Sequence, residues 1–177
     1  MAERNKIIIY QVFTRLFGNA NNHCITNGSI EDNGCGKFAD FTPKALGEIK
    51  KLGTTHIWYT GVIEHATQTD YRRYGIRPDH PAVVKGKAGS PYAIKDYYDV
   101  DPDLANDVFK RMKEFENLVK RTHRAGLKVI IDFVPNHVAR QYESDAKPDG
   151  ITDLGATDDS SQAFSAYNNF YYIPSTS

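Results

Sequence analysis

The chain has 177 residues with 22 basic and 22 acidic side chains, so its formal net charge is zero. Without an excess of positive charge it is a poor partner for the phosphates of nucleic acid. Its composition, 40% apolar and 25% charged, is typical of a globular protein, and no apolar run is long enough to span a membrane. The sequence therefore predicts a core-forming protein that binds neither nucleic acid nor membrane.

The apolar segment near the N-terminus predicts a first strand over residues 6–13, because β-branched and aromatic residues dominate it. It is short and lacks a small-residue cleavage site, so a signal peptide is not expected. This leaves the compartment open, with the cytoplasm slightly preferred over the periplasm or secretion. A long loop rich in Gly and Asn, residues 18–36, follows the strand. Cys24 and Cys35 form no C-x-x-C pair and are expected to be free thiols, with a single disulfide as the alternative.

The second element is an amphipathic helix that begins at Thr42 and ends at Gly53. Thr42 is a good N-cap, Pro43 suits the first helical position, and Gly53 is a typical stop. The apolar face of this helix consists of Ala45, Leu46, Ile49 and Leu52. A tight turn leads into residues 54–62, whose β-branched and aromatic composition predicts a second strand.

The next forty residues, 64–103, contain several prolines and glycines and show no sustained hydrophobic period, which predicts a functional loop. A second helix is predicted over residues 106–125. Its apolar stripe, expected to pack in the core, comprises Val108, Phe109, Met112, Phe115, Leu118 or Val119, and Thr122. Residues 127–134 form a nearly continuous apolar run, as expected of a parallel strand buried on both faces.

Three strands that alternate with two helices predict an α/β fold with a parallel sheet and right-handed crossovers. This order fits both a (β/α)8 TIM-type barrel and an open doubly wound sheet. None of the strands is followed by a glycine-rich phosphate-binding fingerprint, which favours the barrel. Only the first three strands of a barrel can be placed, so the barrel is incomplete in this chain.

Polar residues follow the third predicted strand, where Asp132, Asn136 and His137 surround Pro135. Proline cannot donate a ladder hydrogen bond, so sheet pairing should loosen here and release these side chains toward the carboxyl end of the strand. A functional site is one reading. The other is a cap in which Asp132 accepts from loop N–H groups and His137 is a half-buried structural imidazole.

The pattern Asp-x-Val-x-Asn-His after an apolar strand resembles the first sequence signature of the α-amylase family, glycoside hydrolase family 13. The first strand, IIIYQVFTRLF, resembles the opening strand of that family. The segment PYAIKDYYDVDP, residues 91–102, resembles its tyrosine-containing stretch, and Tyr92 lies forty residues before Asp132. The resemblance spans residues 6 to about 140. It implies that residues 1–140 are the N-terminal part of a catalytic barrel and that 141–177 begin an inserted loop domain after strand three.

The resemblance also implies roles for four residues. Tyr92 matches the aromatic platform for the sugar at the cleavage site, and His137 matches the histidine that hydrogen-bonds a hydroxyl of the same sugar. Asn136 matches an asparagine that ligates a structural calcium ion in many members, and an amide oxygen suits that hard cation. Asp132 matches an acid that organises the catalytic centre without being one of its catalytic carboxylates.

The implied activity is retaining hydrolysis of α-1,4-glucans such as starch and maltooligosaccharides, which needs a nucleophile and an acid/base. In the family the catalytic carboxylates come from strands four, five and seven, so no catalytic residue is assigned in this chain. The remainder of the barrel is expected in a longer protein, and this chain alone is expected to be inactive. The alternatives are a non-catalytic glucan-binding or interaction protein on the same barrel, such as a transporter accessory subunit, or a related transglycosylase, isomaltase-type enzyme or cyclomaltodextrinase.

Three further clusters each allow a functional and a structural reading, and the structural one is preferred for all three. Oxygen-bearing side chains in the first loop suggest either a metal site or a solvated turn; they are Asn27, Glu31, Asp32, Asn33 and Asp40. A basic group suggests either an anion site or a salt-bridged loop; it comprises Arg72, Arg73 and Arg77. Aromatic residues near the C-terminus suggest either sugar contacts or packing; they are Tyr167, Phe170, Tyr171 and Tyr172.

Overall fold

The computed structural model describes residues 6–174 of the chain. Within that range the chain forms five strands and three α-helices, connected by loops and short 3-10 turns. In chain order they are β1 (Ile9–Phe13), α1 (Ile30–Asn33), α2 (Pro43–Lys51), β2 (His56–Thr60), β3 (Ile63–His65), β4 (Ile94–Val100), α3 (Arg111–Arg124) and β5 (Lys128–Ile131).

Three of the strands form a parallel sheet in the order β1-β2-β5. Ile9 pairs with His56 in the first ladder, and Ile57 pairs with Val129 in the second. Helix α2 connects β1 to β2, and α3 lies between β2 and β5 in the chain. The predicted parallel sheet is confirmed, and each strand is shorter than its apolar run. The prediction that the third strand is buried on both faces is wrong, because the residues of β5 are half-buried or exposed.

The segment 64–103 is not a loop throughout, which corrects the sequence prediction. It contains β4, which pairs antiparallel with β3 through an irregular register, with Ile63 opposite Val100 and His65 opposite Ile94. The hydropathy pattern does not predict strand β4, because several of the residues that this strand buries are charged. Lys95, for example, is buried with its ammonium 3.3 Å from a carboxylate oxygen of Asp79.

Helix α2 begins and ends where its sequence predicts. The Thr42 hydroxyl accepts a hydrogen bond from Ala45 N (3.2 Å), Pro43 occupies the first turn, and Gly53 adopts φ 80° just beyond the end of the helix. The left-handed φ explains the glycine, because other residues are strained there.

Helix α3 starts later than predicted, after a 3-10 turn at Val108–Lys110. The turn changes the phase of the apolar stripe. Phe109 and Met112 were expected in the core but are 70% and 40% exposed, whereas Leu118 is fully buried. The ring of Phe109 instead meets Tyr74 edge-on, with centroids 4.7 Å apart.

The main core lies between the parallel sheet and the two longer helices. Its buried members are Val12, Phe38, Phe41, Leu46, Ile49, Ile57, Tyr59, Val62, Val100, Leu104, Leu118 and Leu127. Phe41 stands edge-on to Tyr59, with centroids 4.9 Å apart, and stacks on Phe17 at 4.2 Å. Burial of these apolar side chains is the main stabilising contribution to the layered structure.

The chain divides into two compact units between Asp145 and Ala146. The second unit is built from turns, and the Asp158 carboxylate accepts hydrogen bonds from Asn169 N and Phe170 N, both at 2.8 Å. Tyr167 in this unit is almost fully exposed, so the packing reading is wrong for that residue. An inserted domain that begins at residue 141 stays a prediction.

Both cysteines are free thiols, as expected; Cys24 is exposed, and burial raises the pKa of the Cys35 thiol to about 12. None of the helices in residues 6–174 has the length and apolar character required to cross a lipid bilayer.

Candidate active site at the carboxyl ends of the parallel strands

Asp132 joins the carboxyl ends of two neighbouring strands. It follows β5 directly, and its Oδ1 accepts hydrogen bonds from Gly61 N (3.1 Å), just beyond β2, and from the indole Nε1 of Trp58 (3.4 Å). Gly61 has φ 76°, and a Cβ there would lie 2.9 Å from the side chain of Pro91. The two hydrogen bonds of Asp132 link the end of β2 to the end of β5, which fits both the organising role and the capping role.

Asn136 and His137 lie on the exposed loop after β5. The Nδ1 of His137 is 2.9 Å from the Oδ1 of Asn136, so the amide carbonyl orients the imidazole ring. The imidazole is exposed, unlike the half-buried histidine of the structural reading. Both side chains are therefore accessible to a molecule at this edge of the sheet.

Tyr92 lies just before β4, with 46% of its surface exposed. A backbone hydrogen bond from Ala139 N to Ile94 O (2.7 Å) joins its segment to the loop that carries His137. Tyr92 and His137 are each two residues from this bond. The structure thus runs the two segments side by side although they are more than forty residues apart in the chain.

The loop after β5 is also held by Tyr97. The Tyr97 hydroxyl donates a hydrogen bond to the carbonyl oxygen of Val134, and its ring lies 5.5 Å from that of Phe133. Strand β4 therefore supports the Asn136–His137 loop through both a main-chain and a side-chain contact. Such support limits the positions that the loop side chains can adopt.

The calcium expectation rests on Asn136 alone within this chain. Its Oδ1 is already engaged by His137, and a calcium ion needs six to eight oxygen ligands. Asn136 can supply one ligand, and the rest of a calcium shell has to come from elsewhere.

A buried polar network surrounds His65 of β3 and was not predicted from the sequence. The Arg15 guanidinium lies 2.5 Å from His65 Nε2, and Asp101 Oδ2 lies 3.6 Å from the same nitrogen. Burial, followed by the nearby guanidinium, lowers the pKa of His65 to about 4, and burial raises the pKa of Asp101. The Tyr71 hydroxyl donates to Asp103 (2.6 Å) beside this network. The D-V-D-P segment could have signalled it, because buried acids need partners.

The first-loop oxygen cluster is engaged in local hydrogen bonds. The Asn33 amide bonds both backbone groups of Ile25, and Asp32 forms a capping box with Ser29. Asp40 accepts a hydrogen bond from the backbone N–H three residues earlier (2.6 Å). These contacts agree with the preferred turn-rich reading.

The basic group is likewise paired. Arg72 binds Asp70 at 2.6 Å, Arg77 forms a salt bridge with Glu143, and Arg73 stacks over the ring of the tyrosine that follows it. The preferred reading of a salt-bridged loop is confirmed for Arg72 and Arg77, whereas Arg73 makes a cation–π contact.

A cleft of about 880 Å³ opens beside the first loop, away from the loop that follows β5. Its lining includes Arg15, Asn21, Cys24, Glu31, Lys87 and Asp103. Tyr92 and His137 do not line it, so the volume of this cleft carries no information about the sugar site.

A parallel α/β sheet with polar side chains at the carboxyl ends of its strands is the arrangement of the (β/α)8 barrel class, whose functional residues occupy that face. Residues 11–171 match the family model described as "Alpha amylase, catalytic domain". The chain belongs to this family.

Three similar proteins illustrate the range of the family. The amino acid transporter heavy chain SLC3A1 of Rattus norvegicus is 47% identical over 51 residues, 29% of this chain and 7% of the relative. An alpha-glucosidase of Apis mellifera is 28% identical over 140 residues, 79% of this chain and 18% of the relative. The crystal structure of an alpha-amylase from Lactobacillus plantarum is 30% identical with a TM-score of 0.51, covering 78% of this chain and 24% of that one. The chain thus spans a quarter or less of the length of these proteins.

Proposed function

We propose that this chain is the N-terminal part of the catalytic barrel of a retaining glycoside hydrolase that acts on α-1,4-glucans, such as starch and maltooligosaccharides. The observation that carries the proposal is the placement of Tyr92 and His137, both exposed, on adjoining segments at the carboxyl ends of the strands. The similarity to an alpha-glucosidase and an alpha-amylase supports the substrate class.

The two side chains suit a sugar ring chemically. An exposed tyrosine face can stack on the C–H groups of a pyranose, and Tyr92 offers such a face. With Nδ1 of His137 directed at Asn136, Nε2 is the nitrogen that would bond a sugar hydroxyl. Asp132 would keep the strand ends in register beneath them through its bonds to Trp58 and Gly61.

The chemical step requires two carboxyl groups about 5 Å apart, one as nucleophile and one as acid/base. No residue of this chain is proposed for either role. In the proposal they belong to the remainder of the same barrel, and Tyr92 and His137 position the sugar against them.

The test is steady-state kinetics of the complete protein on a maltooligosaccharide. His137→Ala should lower kcat/KM ten- to a hundredfold, equivalent to ~1.5–3 kcal/mol for a hydrogen bond to a buried polar group. Tyr92→Phe keeps the stacking face and should be milder than Tyr92→Ala. Tyr98→Ala is the matched control, because Tyr98 is a tyrosine of similar exposure on β4, the strand that follows Tyr92.

The reading of Tyr92 and His137 as sugar-binding residues is wrong if these variants leave kcat and KM unchanged while lowering the melting temperature. That pattern would identify the two residues as scaffold. Transfer of glucosyl units to acceptor sugars, seen by product analysis, would instead indicate a transglycosylase.

A second candidate function is a non-catalytic subunit of a membrane transporter. The 47% identity to a transporter heavy chain over 51 residues is the observation that favours it. This candidate requires that the complete protein hydrolyse no α-glucoside, and that it co-purify with a transporter from membranes. Hydrolysis by the complete protein that falls ten- to a hundredfold with His137→Ala decides for the enzyme.

A further inference from the structure

Three acidic side chains from separate parts of the chain converge on the face of the β3–β4 pair. Glu64 comes from β3, Asp99 from β4, and Asp145 from the segment that follows the loop after β5. One carboxylate oxygen from each lies within 4.8 Å of the others. None of these residues belongs to the candidate sugar site.

Glu64 is the unusual member of this group. Its side chain is buried, with only 2% of the residue exposed, and its Oε2 has no hydrogen-bond partner among the residues that the structure describes. A buried carboxylate oxygen without a partner is costly in free energy. It therefore needs a proton or a cation that the protein atoms do not supply.

The positions of the other two acids are set by independent contacts. Arg111, at the start of α3, binds Asp99 Oδ2 through its Nε at 2.7 Å. The segment before Asp145 is joined to β4 by a hydrogen bond from the Ser144 hydroxyl to Asp96 Oδ1 (2.7 Å). The three carboxylates are thus held together by the fold rather than by one flexible loop.

The charges around Glu64 favour a cation. Asp96, Asp99 and Asp145 all face it, and the basic groups nearby are Arg111 and Lys95. The Lys95 ammonium is shared with Asp79, so negative charge exceeds positive charge in this cluster. Burial, followed by the carboxylates of Asp145 and Asp99, raises the pKa of Glu64 to about 9, because a negative charge on Glu64 is unfavourable there. A bound cation would offset this unfavourable charge.

We propose that Glu64, Asp99 and Asp145 bind one hard divalent cation, Ca²⁺, at a site separate from the loop of Asn136. Carboxylate oxygens are ligands that Ca²⁺ prefers, and two opposite ligands of one Ca²⁺ ion lie about 5 Å apart, which accommodates the observed spacing. Ca²⁺ also accepts irregular ligand arrangements, whereas Mg²⁺ demands near-octahedral geometry. The proposal does not depend on the sugar site, because no residue is shared.

The test is calorimetric titration of CaCl₂ into the complete, chelator-treated protein. Glu64→Gln should weaken one Ca²⁺-binding event at least tenfold. Asp145→Asn should do the same, and it serves as the second variant because Asp145 is exposed and tolerates substitution better than a buried position. Asp70→Asn is the matched control, since Asp70 is an exposed acid paired with Arg72.

Asn136→Ala distinguishes this site from the calcium position that the family resemblance implies for Asn136. This variant should still bind Ca²⁺ at the cluster of Glu64, Asp99 and Asp145. The proposal is overturned if the parent binds no Ca²⁺, or if both cluster variants bind it as the parent does. Loss of all Ca²⁺ binding in Asn136→Ala alone also overturns it. Glucan hydrolysis is measured in parallel, so a failed metal site and a failed sugar site are distinguished.

Discussion

At the scale of single residues, Tyr59 illustrates how one polar atom is accommodated in the core. The residue is fully buried in β2, and its hydroxyl lies 2.6 Å from the hydroxyl of Thr122 on α3. Thr122 in turn donates to the carbonyl oxygen of Leu118 (2.9 Å). The chain of bonds satisfies the phenol, and burial raises the pKa of Tyr59 to about 12.

We predict that Tyr59→Phe lowers the free energy of unfolding by ~1 kcal/mol at neutral pH, the typical value of one buried hydrogen bond. In the unfolded chain a tyrosine ionises near pH 10, whereas folded Tyr59 stays protonated until about 12. Tyr59 should therefore contribute a loss of stability as the pH rises from 10 toward 12, and the variant should lack this contribution. Urea unfolding at pH 7 and pH 11 measures the difference in free energy of unfolding between the parent and Tyr59→Phe. If this difference is the same at both pH values, the pKa of Tyr59 is not raised by burial.

A second prediction at this scale concerns Asn136 and the proposed structural calcium of the family. If Asn136 supplies one ligand within a complete barrel, Ca²⁺ should raise the melting temperature of the complete protein, because it binds the folded state. Asn136→Ala should reduce this rise in melting temperature. Any rise that remains in Asn136→Ala should disappear in the double variant that also carries Glu64→Gln. Thermal unfolding in CaCl₂ and in EDTA provides the measurement. Identical responses of the parent and Asn136→Ala would remove calcium from the role of Asn136.

At the scale of elements, α2 and β4 represent opposite cases. The start of α2 is encoded locally, because Thr42, Pro43 and Ala45 supply the cap and the first turn. Strand β4 depends on distant partners, because it buries Lys95, Asp96 and Asp99. Asp79, Ser144 and Arg111 pair with these three in order.

We predict that Thr42→Ala destabilises the fold by ~1 kcal/mol, the usual cost of losing a helix N-cap. The effect follows from the lost bond between the Thr42 hydroxyl and Ala45 N. Thr42→Ser keeps an oxygen in place and should restore most of the stability. Chemical denaturation of the three proteins checks this, and equal losses for both variants would exclude the capping bond as the cause.

At the scale of the whole molecule, the parallel sheet has two outer strands. Within residues 6–174, β1 and β5 each pair only with β2, and Ile9 and Ile131 on these strands are exposed. Unpaired edges with apolar side chains are templates for association with another chain. A closed barrel would cover both edges.

We predict that residues 1–177 expressed alone self-associate in solution, and that Ile131→Lys reduces this association by placing a charge at the β5 edge. Leu52→Lys is the control, since Leu52 is exposed beside α2 and on no strand. Size-exclusion chromatography with light scattering gives the mass of each species. A monomeric parent, or an equal response to both substitutions, would refute an edge-driven mechanism.

The sequence by itself determined the parallel order of β1, β2 and β5, the helix that begins at Thr42, and membership of the α-amylase family. These rest on local patterns: apolar runs, caps, and the polar signature from Asp132 to His137. Such patterns can be recognised in the sequence because each is specified by residues a few positions apart.

Only the tertiary structure decided the β3–β4 pairing, the exposure of Phe109 and the convergence of Glu64, Asp99 and Asp145. Hydropathy assigns charged side chains to the surface, and β4 consequently looks like a loop. A charge can be buried only when a partner is near, and the partners here come from positions 12 to 48 residues away. The packing of the elements brings these partners into contact. It decides whether a charge can be buried, because the electrostatic free energy of a buried group depends on its neighbours in space and not on its neighbours in the chain.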